Sequence, residues 1–281
     1  MIDPEFLTAE ERALSERFIA QGYLIAPVEN RASLDRIRAH VAAAACEMLG
    51  ITPMPKDGGK DGSSGDGIGA LLDGIHGHVD PERLNALRLS VIGAMAAAPW
   101  FRAAYFSLAR QALSAVIGNE LAMQRRVNLS IQLPGDAESL LPVHADVWSG
   151  DSPFEAVLWV PLVDCYGTKA MYLLPPVPNA HLSDRLHQFA ERGAEDIYRS
   201  IEPDIEWMTV PYGHYLLFNQ NLAHGNRVNR EPETRWSMNC RFKGVFTPYA
   251  DKKLGEFFEP ITLRAMSRLG MDYRLPGGFD E

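Results

Sequence analysis

The chain has 281 residues, 46% hydrophobic and 22% charged, with a formal net charge of −9; that is enough for one domain around a large core, and the acidic balance argues against nucleic acid or an anionic membrane as the main partner. Cys46, Cys165 and Cys240 form no CxxC pair, so reduced thiols in a cytoplasmic protein are expected. The first residues lack a basic segment followed by an apolar one, and no stretch reaches the about 18 apolar residues of a membrane span, so neither a secretory leader nor a spanning helix is expected.

Residues 1–120 read as mostly helical. Thr8-Ala9-Glu10-Glu11 has the capping-box pattern, and Leu14, Phe18 and Ile19 follow at helical spacing. Tyr23 to Ala26 predicts a short strand. Leu34, Ile37, Val41, Ala45 and Met48 trace one helix face, which Gly50 ends. The stretch 56–69 is rich in glycine, aspartate and lysine and has little to bury, which predicts a mobile loop, either a solvated connector or a lid over substrate. Asp80-Pro81 opens a further helical stretch that reaches about Ile117, with a break near Pro99.

From Leu121 to about residue 250 the texture changes. Short β-rich segments are predicted at Gln124 to Leu133, Glu155 to Val163, Ala170 to Leu174, Ile205 to Val210, His214 to Phe218 and Arg235 to Phe246. Turns rich in Pro, Gly, Asn and Asp separate them, the pattern of a sandwich or barrel. A helical insertion is expected at 181–200 and a helical, irregular tail at 251–281. No linker divides the chain, so 1–281 reads as a single domain.

The chemistry is carried by Leu141-Pro142-Val143-His144-Ala145-Asp146-Val147. Residues two apart on a strand project to one side, so the imidazole of His144 and the carboxylate of Asp146 converge. An unpaired carboxylate among apolar neighbours is costly. A second histidine, His224, follows an apolar run and precedes Gly225. Two histidines and one carboxylate on one face of a metal leave the opposite face open, the ligand set of non-haem Fe(II) sites.

Thr234 to Phe242 alternates. Arg235, Ser237, Asn239 and Arg241 point one way; Trp236, Met238, Cys240 and Phe242 point the other. A polar face with two guanidinium groups suits a barrel that houses a charged ligand, because arginine grips a carboxylate through two hydrogen bonds.

With Arg235 eleven residues after His224, His144-Ala145-Asp146 and His224-Gly225-Asn226-Arg227-Val228-Asn229 together resemble the Fe(II)/2-oxoglutarate-dependent oxygenases of the phytanoyl-CoA dioxygenase type. Val157 to Asp164 resembles that family's strand after the first metal motif. The resemblance covers about residues 124–247. It implies a double-stranded β-helix (a jelly roll, cupin-like) with flanking helices. It further implies iron(II) on His144, Asp146 and His224, 2-oxoglutarate chelated there with its distal carboxylate on Arg235, and O2 as the oxidant of a small-molecule substrate. The family's Pro-Gly-Ser-His turn is replaced here by Leu174-Pro175-Pro176-Val177-Pro178-Asn179, so no member's substrate carries over. Thr234 to Lys243, with Pro248-Tyr249, also resembles a branch associated with bacterial carbohydrate gene clusters.

Further candidates surround this set. Asn128, Ser130 and Gln132 share one side of their strand and could reach 2-oxoglutarate; Arg241 is the alternative anchor for its carboxylate. Asn219 and Asn221 could support a metal ligand or simply shape a turn. Trp148 could stack on substrate or pack, and Lys169, by default a solvated turn lysine, could touch substrate. His76 and His78 have metal spacing but sit among glycines, which favours a flexible loop. Hydroxylation is the expected outcome; desaturation, epimerisation and ring closure share the ligand set. A binding protein without turnover and a zinc hydrolase remain open. Halide chemistry is disfavoured because Asp146 fills the position a halide needs.

Overall fold

A computed structural model describes residues 6–52 and 67–277. The amino-terminal half is helical for the reasons legible in the chain. Helix α1 (Ala9–Gln21) is capped by Thr8, whose hydroxyl accepts the Glu11 amide at 3.2 Å while Glu11 accepts the Thr8 amide at 2.9 Å. It ends at Gly22, in the left-handed region at φ 78°, and β1 (Tyr23–Pro27) follows. Helix α2 (Arg31–Leu49) buries Leu34, Ile37, Val41 and Ala45 along one stripe and stops at left-handed Gly50. Residues 56–66 of the glycine-rich stretch lie outside the described residues; Gly67 to Gly69 open α3 (Gly67–Asp73). The long helical stretch is α4 (Pro81–Ala97), then a break around Pro99, then the short α5 (Phe101–Phe106) and α6 (Arg110–Val116).

The remaining strands are β2 (Leu121–Gln124), β3 (Asn128–Gln132), β4 (Glu155–Pro161), β5 (Tyr172–Leu173), β6 (Glu206–Trp207), β7 (His214–Asn219), β8 (His224–Gly225), β9 (Arg235–Gly244) and β10 (Phe258–Pro260). They form two antiparallel sheets. The larger runs β1-β7-β4-β9-β2-β10, with β3 also on β9; the smaller runs β6-β5-β8. Helices α7 (Pro176–Arg185) and α8 (Ala194–Ile201) form the expected insertion, and α9 (Ala265–Asp272) lies in the tail.

Three expectations are corrected in detail. The single strand predicted from Gln124 to Leu133 is split: pairing with β9 leaves off at Met123 opposite Phe242 and resumes at Asn128 opposite Asn239, so more chain lies between them here than on β9. The tail contributes β10, paired with β2. The strand expected around His144 and Asp146 is an isolated bridge at His144, followed by a one-turn 3-10 helix from Asp146 to Ser149.

Strand β9 separates core from cavity. Trp236, Met238, Cys240 and Phe242 are fully buried in the main hydrophobic cluster with Phe101, Tyr105 and the inner residues of α2 and α4. Tyr105 donates to the Leu158 carbonyl at 2.8 Å, and the Trp236 indole N–H donates to the Leu72 carbonyl at 2.8 Å, tying α5 and α3 to the sheet. The other face of β9 looks toward the smaller sheet across an internal space. Burial of the apolar face sets the register, since a one-residue slip would drive both arginines into the core. Trp236→Ala is expected to lower stability by about 3–5 kcal/mol, read as a drop in the urea midpoint; a loss below about 1 kcal/mol, the range of an ordinary surface change, would contradict its anchoring role.

Candidate metal centre

His144 and His224 are joined backbone to backbone. The His144 amide donates to the His224 carbonyl at 2.9 Å, and the His224 amide returns the bond to His144 at 2.8 Å. Ala145, between His144 and Asp146, is extended at φ −117°, ψ 138°. The two side chains therefore point to one side even without a regular strand. Ligand atoms of His144, Asp146 and His224 all lie within 4.8 Å of one another. The imidazole centroids are 4.2 Å apart, and His144 Nε2 is 3.6 Å from Asp146 Oδ1.

Both histidines use the same orienting device. Nδ1 of His144 lies 2.8 Å from the Pro142 carbonyl, and Nδ1 of His224 lies 2.8 Å from the Leu222 carbonyl. A carbonyl only accepts, so each Nδ1 carries a proton and Nε2 is the ring nitrogen left to meet a metal. Burial, reinforced by the neighbouring His144, pushes the His224 imidazole down to about 4, so it is neutral and ready to ligate at neutral pH. Asp146 is anchored through its amide, which donates to the Gln220 carbonyl at 3.1 Å. Its Oδ2 accepts from Arg241 Nε at 3.2 Å and stands 2.8 Å from Arg241 Nη2 in an ion pair.

Of the cluster, His224 borders a cavity of about 350 Å³ between the sheets. Its walls include all four residues of the polar β9 face, Asn128 and Ser130 from β3, His224 and Gly225, and the apolar Leu141, Val157, Trp159, Met171 and Phe218. Arg235 is only 4% exposed. Its Nη2 donates to Ser130 Oγ at 2.9 Å and its Nη1 to the Ala170 carbonyl at 3.3 Å, while Nε has no partner among the described residues. Burial without an ion-paired carboxylate lowers it to about 10. A buried guanidinium with an unfilled donor, lining the same cavity as His224, fits a carboxylate-bearing ligand.

The other sequence candidates divide. Asn128 lines the cavity and donates to Asn239 at 2.8 Å across the strands. Gln132 does not line it; it donates to the Arg227 carbonyl at 2.8 Å and accepts from Asn226, holding the turn after His224. Arg241 lines it but already serves Asp146. Trp148 sits on the turn after Asp146, 37% exposed and outside the cavity lining. Lys169 is neither solvated nor in the cavity: it is 1% exposed, closed by Asp73 at 2.6 Å and Glu233 at 3.2 Å. Two carboxylates make that burial affordable, and no local sequence signal places them. Asn219 and Asn221 cap their own turn, with Asn219 Oδ1 accepting the Asn221 amide at 3.0 Å. His76 Nδ1 is held by the Asp73 carbonyl and Thr234 rather than by the ligand cluster.

Sequence reasoning missed Gln220, which is fully buried. Its carbonyl holds Asp146, its Oε1 accepts from Arg241 Nε at 3.2 Å, and its amide donates to Glu155 at 3.1 Å. A glutamine between two turn asparagines carries no local mark of that reach. Gly225 was missed as a packing constraint: a Cβ there would lie 2.6 Å from Tyr172 Oη and 2.8 Å from the Leu141 carbonyl.

No protein-family model matches the chain, and no curated protein matches it. Solved structures do. The non-heme monooxygenase ThoJ, as a nickel complex, is 16% identical over 84% of this chain and 79% of that one, with a TM-score of 0.52. HygX from Streptomyces hygroscopicus, with nickel and 2-oxoglutarate bound, is 14% identical over 88% and 90%, with a TM-score of 0.53. At these identities the likeness is one of fold: a mostly antiparallel β architecture with flanking helices.

Two outcomes follow from the geometry. Gly225→Ala forces Tyr172 or the 141 backbone to shift, so it is expected to lower the thermal midpoint and weaken Co(II) uptake together; unchanged uptake would show that the His144–His224 bridge tolerates the displacement. The His224 imidazole is lowered from 6.5 to about 4 in the folded chain, so the unfolded chain binds the extra proton between those values. Metal-free protein is therefore expected to keep its full His224 contribution above about pH 6.5 and lose it progressively toward about pH 4. Urea midpoints across that range should fall less steeply in His224→Leu than in the unmodified protein.

Proposed function

We propose that this protein is a non-haem Fe(II)- and 2-oxoglutarate-dependent oxygenase, built on a double-stranded β-helix and hydroxylating a small-molecule substrate. The observation that carries the reading is the convergence of His144, Asp146 and His224, with His224 lining the same cavity as Arg235, a buried guanidinium with no carboxylate partner among the described residues. The donor set fits: two imidazoles whose Nδ1 is already bonded to a carbonyl, and one carboxylate, suit a divalent first-row metal that keeps positions open. With iron bound, the centre would supply O2 activation coupled to oxidative decarboxylation of the 2-oxo acid.

The chain's own residues supply geometry and exclusion of water. His144, Asp146 and His224 hold the metal on one side. Arg235 takes the distal carboxylate of 2-oxoglutarate and acquires the counter-anion that its burial lacks. Ser130, already bonded to Arg235 Nη2, keeps that fork aimed into the cavity. Asn128 and Asn239 offer amide groups along the wall, and Val157, Trp159 and Phe218 keep the space apolar around the reacting substrate.

Hydroxylation is the outcome put forward; epimerisation, desaturation or ring closure would use the same ligands. ThoJ, a monooxygenase, is among the similar solved structures. A carbohydrate-related substrate remains part of the proposal, as does a cytoplasmic setting with its three buried free thiols. No described helix is long and apolar enough to cross a membrane.

Anaerobic protein with Fe(II) and 2-oxoglutarate is expected to show a weak visible charge-transfer band. On admitting O2 it should make succinate faster in the presence of a true substrate, which a binding protein would not do. Arg235→Leu is expected to raise the 2-oxoglutarate concentration for half-saturation by about 10–100-fold, the loss of a charged hydrogen-bond pair worth about 1.5–3 kcal/mol, with metal uptake unchanged. His224→Ala should abolish succinate formation. An unchanged requirement in Arg235→Leu would move the anchor elsewhere.

A further inference from the structure

The oxygenase reading leaves the second guanidinium of the cavity, Arg241, without a part. Its position is defined from three sides. The alternation of β9 turns it to the cavity face, opposite Val157 of β4. Its Nη2 and Nε reach Asp146 Oδ2 at 2.8 Å and 3.2 Å. Its Nε also meets Gln220 Oε1 at 3.2 Å and Asp151 Oδ1 at 3.7 Å. Asp151 is itself balanced by Lys252 at 2.6 Å, so Asp146 remains the carboxylate nearest to Arg241.

The two oxygens of Asp146 are therefore unequal. Oδ2 is occupied by Arg241, while Oδ1 faces the imidazoles, 3.6 Å from His144 Nε2. We infer that Arg241 is a positioning residue: it holds the outer oxygen of Asp146, so that the carboxylate offers a metal one oxygen rather than two. A carboxylate free to turn can chelate through both oxygens. That would consume a coordination position which a bidentate 2-oxo acid and O2 need. Here the turn would break a hydrogen-bonded ion pair in which the Asp146 side chain is 6% exposed and that of Arg241 is 16% exposed, a costly disruption at such burial.

Gln220 keeps the two partners in step. Its carbonyl fixes the Asp146 amide at 3.1 Å, and its side chain fixes Arg241 at 3.2 Å. Its own amide is held by the Ser152 carbonyl at 3.0 Å and Glu155 at 3.1 Å. Backbone and side chain of the ligand are thus governed by one buried residue on the loop that leads from β7 to His224. The inference rests on the proposed metal centre, and its test separates the two.

Metal-free protein is titrated anaerobically with Co(II) alone, following the visible absorption of the bound ion. Uptake by the unmodified protein tests the centre; absence of uptake would overturn that reading and this one with it. Given uptake, Arg241→Met is expected to raise the Co(II) dissociation constant about 10–100-fold, the usual effect of losing a residue that orients a ligand, and to change the band. Arg241→Lys should recover part of both. Gln220→Met should move both in the same direction by less. An unchanged constant and band in Arg241→Met would overturn the inference while leaving the centre standing. So would a lower constant with the same band, which is what a cation merely opposing the metal would give. A fall in thermal midpoint alone, with constant and band unmoved, would reduce Arg241 to a structural role. If Arg241→Met does not fold, Gln220→Met decides: a constant and band identical to the unmodified protein overturn the inference.

Discussion

Two backbone hydrogen bonds hold the site together, from the His144 amide to the His224 carbonyl and back again. They join segments far apart in the chain, and they do so at the residues whose side chains must meet. Because the bond is made by the backbone, the imidazoles are delivered as a pair whatever their own preferences. The extended Ala145 adds Asp146 on the same side, and the carbonyls of Pro142 and Leu222 set both tautomers. The absence of a side chain at Gly225 lets Tyr172 and the Leu141 carbonyl close in on the bridge. The smaller sheet therefore depends on the same contact, since β8 is the strand that carries His224.

The second constraint is the register of β9. Its outer face is fully buried, and each large apolar side chain there contributes roughly 1.5–3 kcal/mol relative to exposure. Those contributions fix which residues look inward, and hence that two guanidinium groups share a cavity with His224. Their fates differ because of what each one meets. Arg241 meets Asp146; Arg235 meets only a hydroxyl and a carbonyl.

Other buried cations show how unusual Arg235 is. Lys169 is closed by Asp73 and Glu233. Lys243 donates to the Pro248 carbonyl at 2.6 Å and stands 3.7 Å over the Tyr249 ring. Arg235 alone combines near-complete burial, a cavity-facing position and a missing donor partner among the described residues. A folded chain tolerates such a charge most readily when a ligand supplies the anion, which is why the co-substrate reading follows from Arg235 as much as from the metal triad.

Local pattern was enough for much of this. The Thr8 capping box, the buried stripe of α2, the strands at Glu155 and His214 and the two faces of β9 were legible, because each is written in the period of neighbouring residues. So were the three ligand residues as a chemical set. Tertiary structure decided what each polar group would meet. It turned the expected strand at His144 into a single bridge, broke the strand between Met123 and Asn128, swung Gln132 onto the turn after His224 and buried Lys169 between two acids. It also recruited Gln220 beneath Asp146 and separated Arg235 from Arg241 by their partners. Periodicity records which way a side chain points; its partner is set by segments that come close only when the sheets face each other, and no run of adjacent residues encodes that distance.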